Sequence, residues 1–162
     1  MEQIEIKVYQ DEVYDEVAKA TAYTGAKLIE SDEAAPDRML VTDADLETVG
    51  DRFWAEAAVV VNERLNEMFV SGETKKEIAP VGDTTRTVYD LKLEVSTLYD
   101  KNLNASVQEY LKGFFIYAIV GQWFKYANKD EAEGYITKAG EKLSGAEKLL
   151  YSRKRPKRTA KE

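Results

Sequence analysis

The chain has 162 residues, no cysteine, no histidine and a formal net charge of −7. This composition excludes disulfides, thiol nucleophiles, serine–histidine–aspartate triads and the usual zinc sites, so we expect no enzyme, no cofactor and no metal. The last ten residues hold six Lys/Arg and one Glu, a charge of +5, which leaves −12 for residues 1–152. A short basic tail therefore follows an acidic body.

The N-terminal region predicts a short strand and then a helix. Residues 4–8 alternate apolar and charged side chains, which is the period of a half-buried strand. Asp11 is predicted as the N-cap of a helix over residues 12–24, because its carboxylate can accept from the first free amides. Gly25 is predicted as the residue that follows the helix, where a left-handed conformation costs a glycine little.

A second helix is predicted over residues 42–70. Thr42 and Asp45 fit a capping box in which Asp replaces the usual Glu. The apolar positions that follow recur at helical spacing and form an arc that is wider than a single packing stripe. We expect Ser71 and Gly72 to end this helix.

A β-hairpin is predicted over residues 75–96. Residues 87–95 alternate in polarity, and the weaker strand 75–81 contains Pro80, which is tolerated at a sheet edge. The turn is predicted at residues 82–83. The N-terminal strand could join this hairpin.

Two further helices complete the predicted domain. The third spans about 103–127 and is apolar all round from 114 to 120, as expected of a central buried helix. Asn128 with Glu131 is predicted to cap the fourth helix. No apolar stretch reaches the ~20 residues of a membrane span, so we expect no membrane contact. Pro156 stops any continuation, and we expect the end of the chain to be mobile.

Five residues are predicted to form a subunit interface. The wide apolar arc of the second helix exceeds what one packing face needs, and aromatic residues are enriched at interfaces. The hairpin is either internal sheet or a strand that pairs with a neighbouring chain. The alternative for all of these residues is the protein core. The candidates are Trp54, Val61, Leu65, Val88 and Tyr89.

The basic tail has two interpretations. It either contacts nucleic acid or an acidic partner, or it is a solvated end that aids solubility. If all six cations met phosphates, log K against log salt would have a slope of roughly −5. The candidate contact residues are Arg153, Lys154, Arg155, Lys157, Arg158 and Lys161.

Two acidic clusters, at residues 30–33 and 43–45, do not fit the ligand spacing of a calcium-binding loop. Helix capping and loop solvation account for them better. A carboxylate–metal enzyme is therefore the weakest of the functions considered.

Two stretches of the chain resemble small structural proteins of tailed phages and prophages. They are residues 13–28 and 107–124, the second followed by 132–135 and closed by the basic run 153–158. The similarity is to proteins of the head–tail connector type, also called adaptor or head-completion proteins. It covers most of the chain as a layout of helices, β insert and basic end.

The resemblance implies a non-catalytic virion protein that forms a ring beneath the portal and docks a tail or stopper protein. Its location would be the virion, and the host cytoplasm during assembly. The implied fold is a mainly α, four-helix connector-like bundle with an inserted β-hairpin, as one domain over 1–152 with a basic tail over 153–162. Helix 42–70 and hairpin 75–96 would contact neighbouring copies, and the tail would reach the portal or the DNA channel.

Two other functions stay open. One is a neighbouring virion role such as tail completion. The other is a nucleic-acid-associated accessory or regulatory module, in which the tail makes nonspecific phosphate contacts.

Overall fold

The computed structural model describes residues 1–31, 33–79, 82 and 84–155. The protein is mainly helical with one small sheet, in agreement with the predicted fold class at that level. The elements in chain order are β1 (Glu2–Tyr9), α1 (Gln10–Lys27), α2 (Ala35–Met39), α3 (Asp43–Asp45), a π-helical turn (Leu46–Gly50), α4 (Asp51–Arg64), β2 (Phe69–Ile78), β3 (Thr85–Val95), a 3-10 turn (Lys101–Leu103), α5 (Asn104–Ala127) and α6 (Lys129–Leu150).

The sheet has three antiparallel strands in the order β1-β3-β2. The N-terminal strand joins the hairpin, as the alternation in residues 4–8 suggested, and Ile6 lies opposite Leu91. Side chains alternate between the two faces of a strand, so one face is apolar and buried while the other carries charged residues such as Glu5 and Glu94. The helices pack on the apolar face.

The predicted helix over 42–70 ends earlier than expected. Thr42 and Asp45 do form the capping box, but α4 stops at Arg64 and the chain enters β2 at Phe69. Ser71 and Gly72, predicted to end the helix, lie inside β2. Leu65 and Met68 keep the helical spacing of the preceding apolar residues beyond the end of α4, so periodicity alone does not mark the boundary.

The ends of α1 also differ from the prediction. The helix begins at Gln10, so Asp11 lies in its first turn, where a carboxylate is favoured by the helix dipole. Gly25 lies within α1, and a Cβ added there would come 2.8 Å from the Cα of Pro36. The glycine therefore allows α2 to approach α1 closely.

The long helix α5 forms the centre of the fold. Phe115 is fully buried, and its ring lies 4.4 Å from that of Trp54 in α4 and 5.3 Å from that of Tyr89 in β3, measured between centroids. The helix continues to Ala127, and the side chain of Asn128 then accepts from the amide of Asp130 to begin α6. One apolar cluster thus joins the sheet to the helices.

Candidate interaction surfaces

The predicted subunit interface is buried inside the chain. Its members are between 0 and 2% exposed, and the prediction of an accessible contact surface is therefore wrong for their side chains. The residues concerned are Trp54, Val61, Leu65, Val88 and Tyr89.

The reason is that α4 packs on two neighbours at once. The indole of Trp54 contacts Phe115 in α5, and its Nε1 donates to Thr74 Oγ1 in β2 over 3.0 Å. On the same helix, Asn62 accepts a short hydrogen bond from the hydroxyl of Tyr89. The wide apolar arc of α4 serves this double contact within one chain.

A different, accessible apolar surface lies between α4, α5 and α6. It is a groove of about 270 Å³. One end is crossed by an ion pair, with Arg64 Nε 2.8 Å from Glu147 Oε2. Near the other, Phe53 stacks with Tyr126 at a centroid distance of 6.5 Å. The main apolar residues of its lining are Phe53, Val60, Phe114, Ala118, Ile136 and Leu143.

A second accessible surface is the outer edge of β2. This strand pairs with β3 on one side, and no other strand in the described ranges pairs with it. Phe69, Val70 and Ile78 are exposed along it. At the opposite edge of the sheet, Gln108 of α5 donates to the carbonyl of Lys7 in β1 over 2.8 Å.

Sequence reasoning missed a mixed-charge groove of about 610 Å³ between α1, α5 and α6. The amine of Lys138 lies over the rings of Tyr117 and Tyr135, at 5.8 and 5.3 Å from their centroids. Lys19 and Lys112 also line this groove, but each forms ion pairs with carboxylates of α1. The lining has four lysines, Lys19, Lys112, Lys138 and Lys142. They and their carboxylate neighbours come from three helices, so no local motif signals the groove. The charged lining is Glu16, Lys19, Glu109, Lys112, Lys138 and Lys142.

The basic tail is described only as far as Arg155. Arg153, Lys154 and Arg155 are exposed, whereas the predicted contact residues Lys157, Arg158 and Lys161 lie outside the described residues.

Where it leaves α6, the chain is bonded to the body of the protein. The amide of Lys154 donates to the carbonyl of Leu98 over 2.7 Å. The hydroxyl of Tyr151 donates to Glu67 Oε2 over 2.8 Å, and that hydrogen bond raises the pKa of Tyr151. The first tail cations are thus held beside the loop that follows β3.

Within the described ranges, no group of three or more acidic, histidine or cysteine side chains is arranged to hold a metal ion. The acidic run at 43–45 has a structural role, since Asp45 accepts from the amide of Thr42. Among the helices that the structure describes, none has the length and apolar character of a membrane span.

These features define a mainly helical protein with a small antiparallel sheet and two accessible, partly apolar surfaces. Comparison with protein-family models, with curated proteins and with solved structures finds no match to this chain.

Proposed function

We propose that this protein is a structural component of tailed-phage virions, a head–tail connector or adaptor that assembles as a ring beneath the portal. It acts by binding copies of itself, the portal and a tail or stopper protein, and performs no chemistry. The resemblance of residues 13–28 and 107–124 to such proteins supports the proposal, together with an accessible apolar groove on the helical body.

The groove between α4, α5 and α6 is the observation that carries the proposal. Val60 and Ile136 on its lining are 43 and 41% exposed, so apolar surface is available to another chain. The Arg64–Glu147 ion pair supplies a polar rim at one end. An apolar centre with a charged rim is the usual composition of a protein–protein interface. A side chain from a neighbouring copy in the ring fits this surface.

The test begins with the genome, where a portal gene beside this one is expected. The purified full chain is mixed with that portal protein, and ring formation is followed by native mass spectrometry and negative-stain electron microscopy. Val60→Glu places a charge in the groove and should abolish ring formation, because a buried unpaired carboxylate is costly.

Ile29→Glu is the matched control, since Ile29 is 49% exposed and lies outside the groove. It should assemble like the wild type. A wild-type protein that never associates with the portal, or a Val60→Glu variant that assembles normally, would contradict the proposal.

A second candidate function is the nucleic-acid accessory role, which the exposed Arg153, Lys154 and Arg155 favour. Fluorescence anisotropy with a labelled random-sequence DNA duplex tests it. Affinity should fall steeply with salt, with a log–log slope of roughly −5 if all six tail cations contact phosphates. It should also vanish on deletion of residues 153–162. Absence of binding by the full chain at low salt counts against this role.

A further inference from the structure

We propose that the outer edge of β2 pairs antiparallel with the same edge of a second copy of this chain, giving one continuous sheet across a twofold axis. The partner is defined by the hydrogen bonds and charges of β2 itself. The inference does not rest on the proposed function, because it uses a different surface.

Apart from the carbonyl of Gly72, the backbone groups of β2 that face this edge have no hydrogen-bond partner among the described residues. The amide of Ala79 donates to the carbonyl of Thr84 over 2.8 Å, across the hairpin toward β3. Because backbone direction alternates along a strand, the amides and carbonyls of Gly72, Thr74 and Lys76 point the other way. They lie in the plane of the sheet and face away from β3. Their outward groups form a template for another strand.

The bond from Asn62 confirms this direction and occupies one acceptor position at the edge. Its Nδ2 donates to the carbonyl of Gly72 over 3.2 Å. A carbonyl has two lone pairs and can accept a second donor.

The charges of β2 select one register for self-pairing. With Thr74 opposite Thr74 of the second copy, Glu73 lies opposite Lys75 of the second copy, and the same pair recurs across the axis. Opposite charges at facing positions stabilise an antiparallel pair, and like charges destabilise it.

The neighbouring registers are unfavourable. A shift by two residues in one direction places Lys75 opposite Lys75 of the second copy. A shift in the other direction places Glu73 opposite Glu73 of the second copy. A shift by one residue places the outward-pointing amides and carbonyls of one copy opposite residues whose backbone groups point inward. The hydrogen bonds of the ladder then cannot form.

Exposed apolar side chains lie near both ends of the paired segment. Ile78 is 75% exposed, and Val70, at the β-bulge between Phe69 and Ser71, is 47% exposed. Val59 is 52% exposed, and it is one helical turn before Asn62, on the side of α4 that meets β2. The two-copy sheet would thus remove apolar surface from water at both ends of the strand pair.

This contact is isologous, since the same edge is used by both copies. A ring closes through head-to-tail contacts between different surfaces, so the two assemblies are separable. Val60→Glu in the groove should leave the β2 pairing intact, and disruption of the β2 edge should leave the groove intact.

The experiment is sedimentation equilibrium of the full chain, with and without Glu73→Lys. The wild type should show a concentration-dependent dimer. Glu73→Lys puts Lys opposite Lys75 on both sides of the axis and should give a monomer.

Glu94→Lys is the control, because it makes the same charge change at an exposed position on β3, away from the edge. It should dimerise like the wild type. Circular dichroism checks that each variant is folded.

Hydrogen exchange on the wild type gives a second measurement that needs no substitution. The outward amides of Thr74 and Lys76 should exchange more slowly at high protein concentration. The amides of Glu73 and Lys75, which face β3, should be unchanged. A wild type that is monomeric at every concentration, or a Glu73→Lys variant that dimerises normally, would overturn the inference.

Discussion

The amine of Lys75 in β2 lies 2.6 Å from a carboxylate oxygen of Asp90 in β3, on the charged face of the sheet. Asp90 is only 3% exposed, and its Oδ1 has no hydrogen-bond partner among the described residues. A carboxylate taken out of water depends on its cation, because the Coulomb attraction offsets the loss of hydration. Asp90 therefore makes Lys75 important to the fold.

Lys75→Ala should destabilise the protein more than Lys76→Ala. Removal of the amine leaves a buried carboxylate without a cation, whereas the amine of Lys76 bonds to the hydroxyl of Thr87 at the surface. Urea unfolding measures both variants. Asp90→Asn introduced into Lys75→Ala should recover part of the loss, because the buried charge is then gone. Equal stability of the two lysine variants would contradict this account.

Leu65→Ala should lower the free energy of unfolding by about 2–5 kcal/mol, the range for deletion of a buried leucine side chain. Leu65 is fully buried at the end of α4. Val60→Ala, four residues from the end of the same helix but 43% exposed, should cost less than about 1 kcal/mol. The comparison, made by urea unfolding, separates core residues of α4 from its accessible ones. A small effect at Leu65 would restore it as an interface candidate.

The sequence predicted those elements whose periodicity is clean. From residue 89 to residue 95, apolar and charged side chains alternate, and β3 forms there as the central strand. The run at 114–120 is apolar all round, and α5 is the central helix. The Thr42–Asp45 capping box forms because it depends on residues three apart. Each of these signals is local, which is why sequence alone was sufficient.

The failures have a non-local cause. Leu65 and Met68 keep the helical spacing beyond the end of α4, and the contact that accompanies the change to β2 is the bond from Asn62 to the carbonyl of Gly72. The burial of Trp54 follows from its simultaneous contacts with Phe115 and Thr74 on two other elements. A sequence pattern shows that α4 has a wide apolar arc, but not whether one chain or two will cover it.

Two glycines in helices should respond oppositely to alanine. Around Gly134 in α6, a Cβ would meet nothing within 4 Å, so Gly134→Ala should stabilise by about 0.5–1 kcal/mol through a smaller loss of backbone entropy. At Gly25, the same change meets the backbone of Pro36 at 2.8 Å and should cost about 1–3 kcal/mol. Thermal unfolding of both variants measures the difference. A neutral Gly25→Ala would show that α2 can move away from α1.

Stability should fall as the pH rises above about 10, the ordinary pKa of tyrosine. Burial raises the pKa of Tyr89, and burial together with the hydrogen bond to Asp51 raises that of Tyr14. A raised pKa means that the folded protein keeps a proton that the unfolded chain has released. The stabilisation is therefore complete below the unfolded pKa and is lost as the pH rises toward the folded pKa.

Each such tyrosine contributes a slope of at most about −1.4 kcal/mol per pH unit to the free energy of unfolding. Urea unfolding from about pH 8 to about pH 11.5, a range that spans the ordinary pKa of tyrosine, measures the slope. Tyr89→Phe keeps the ring beside Phe115 and should make the slope shallower above pH 10, while Tyr23→Phe should not, because Tyr23 is 71% exposed. Loss of the bond to Asn62 lowers stability at every pH and leaves the slope unaffected. If Tyr89→Phe has the wild-type slope, Tyr89 is accessible to hydroxide in the folded state and does not belong to the closed core.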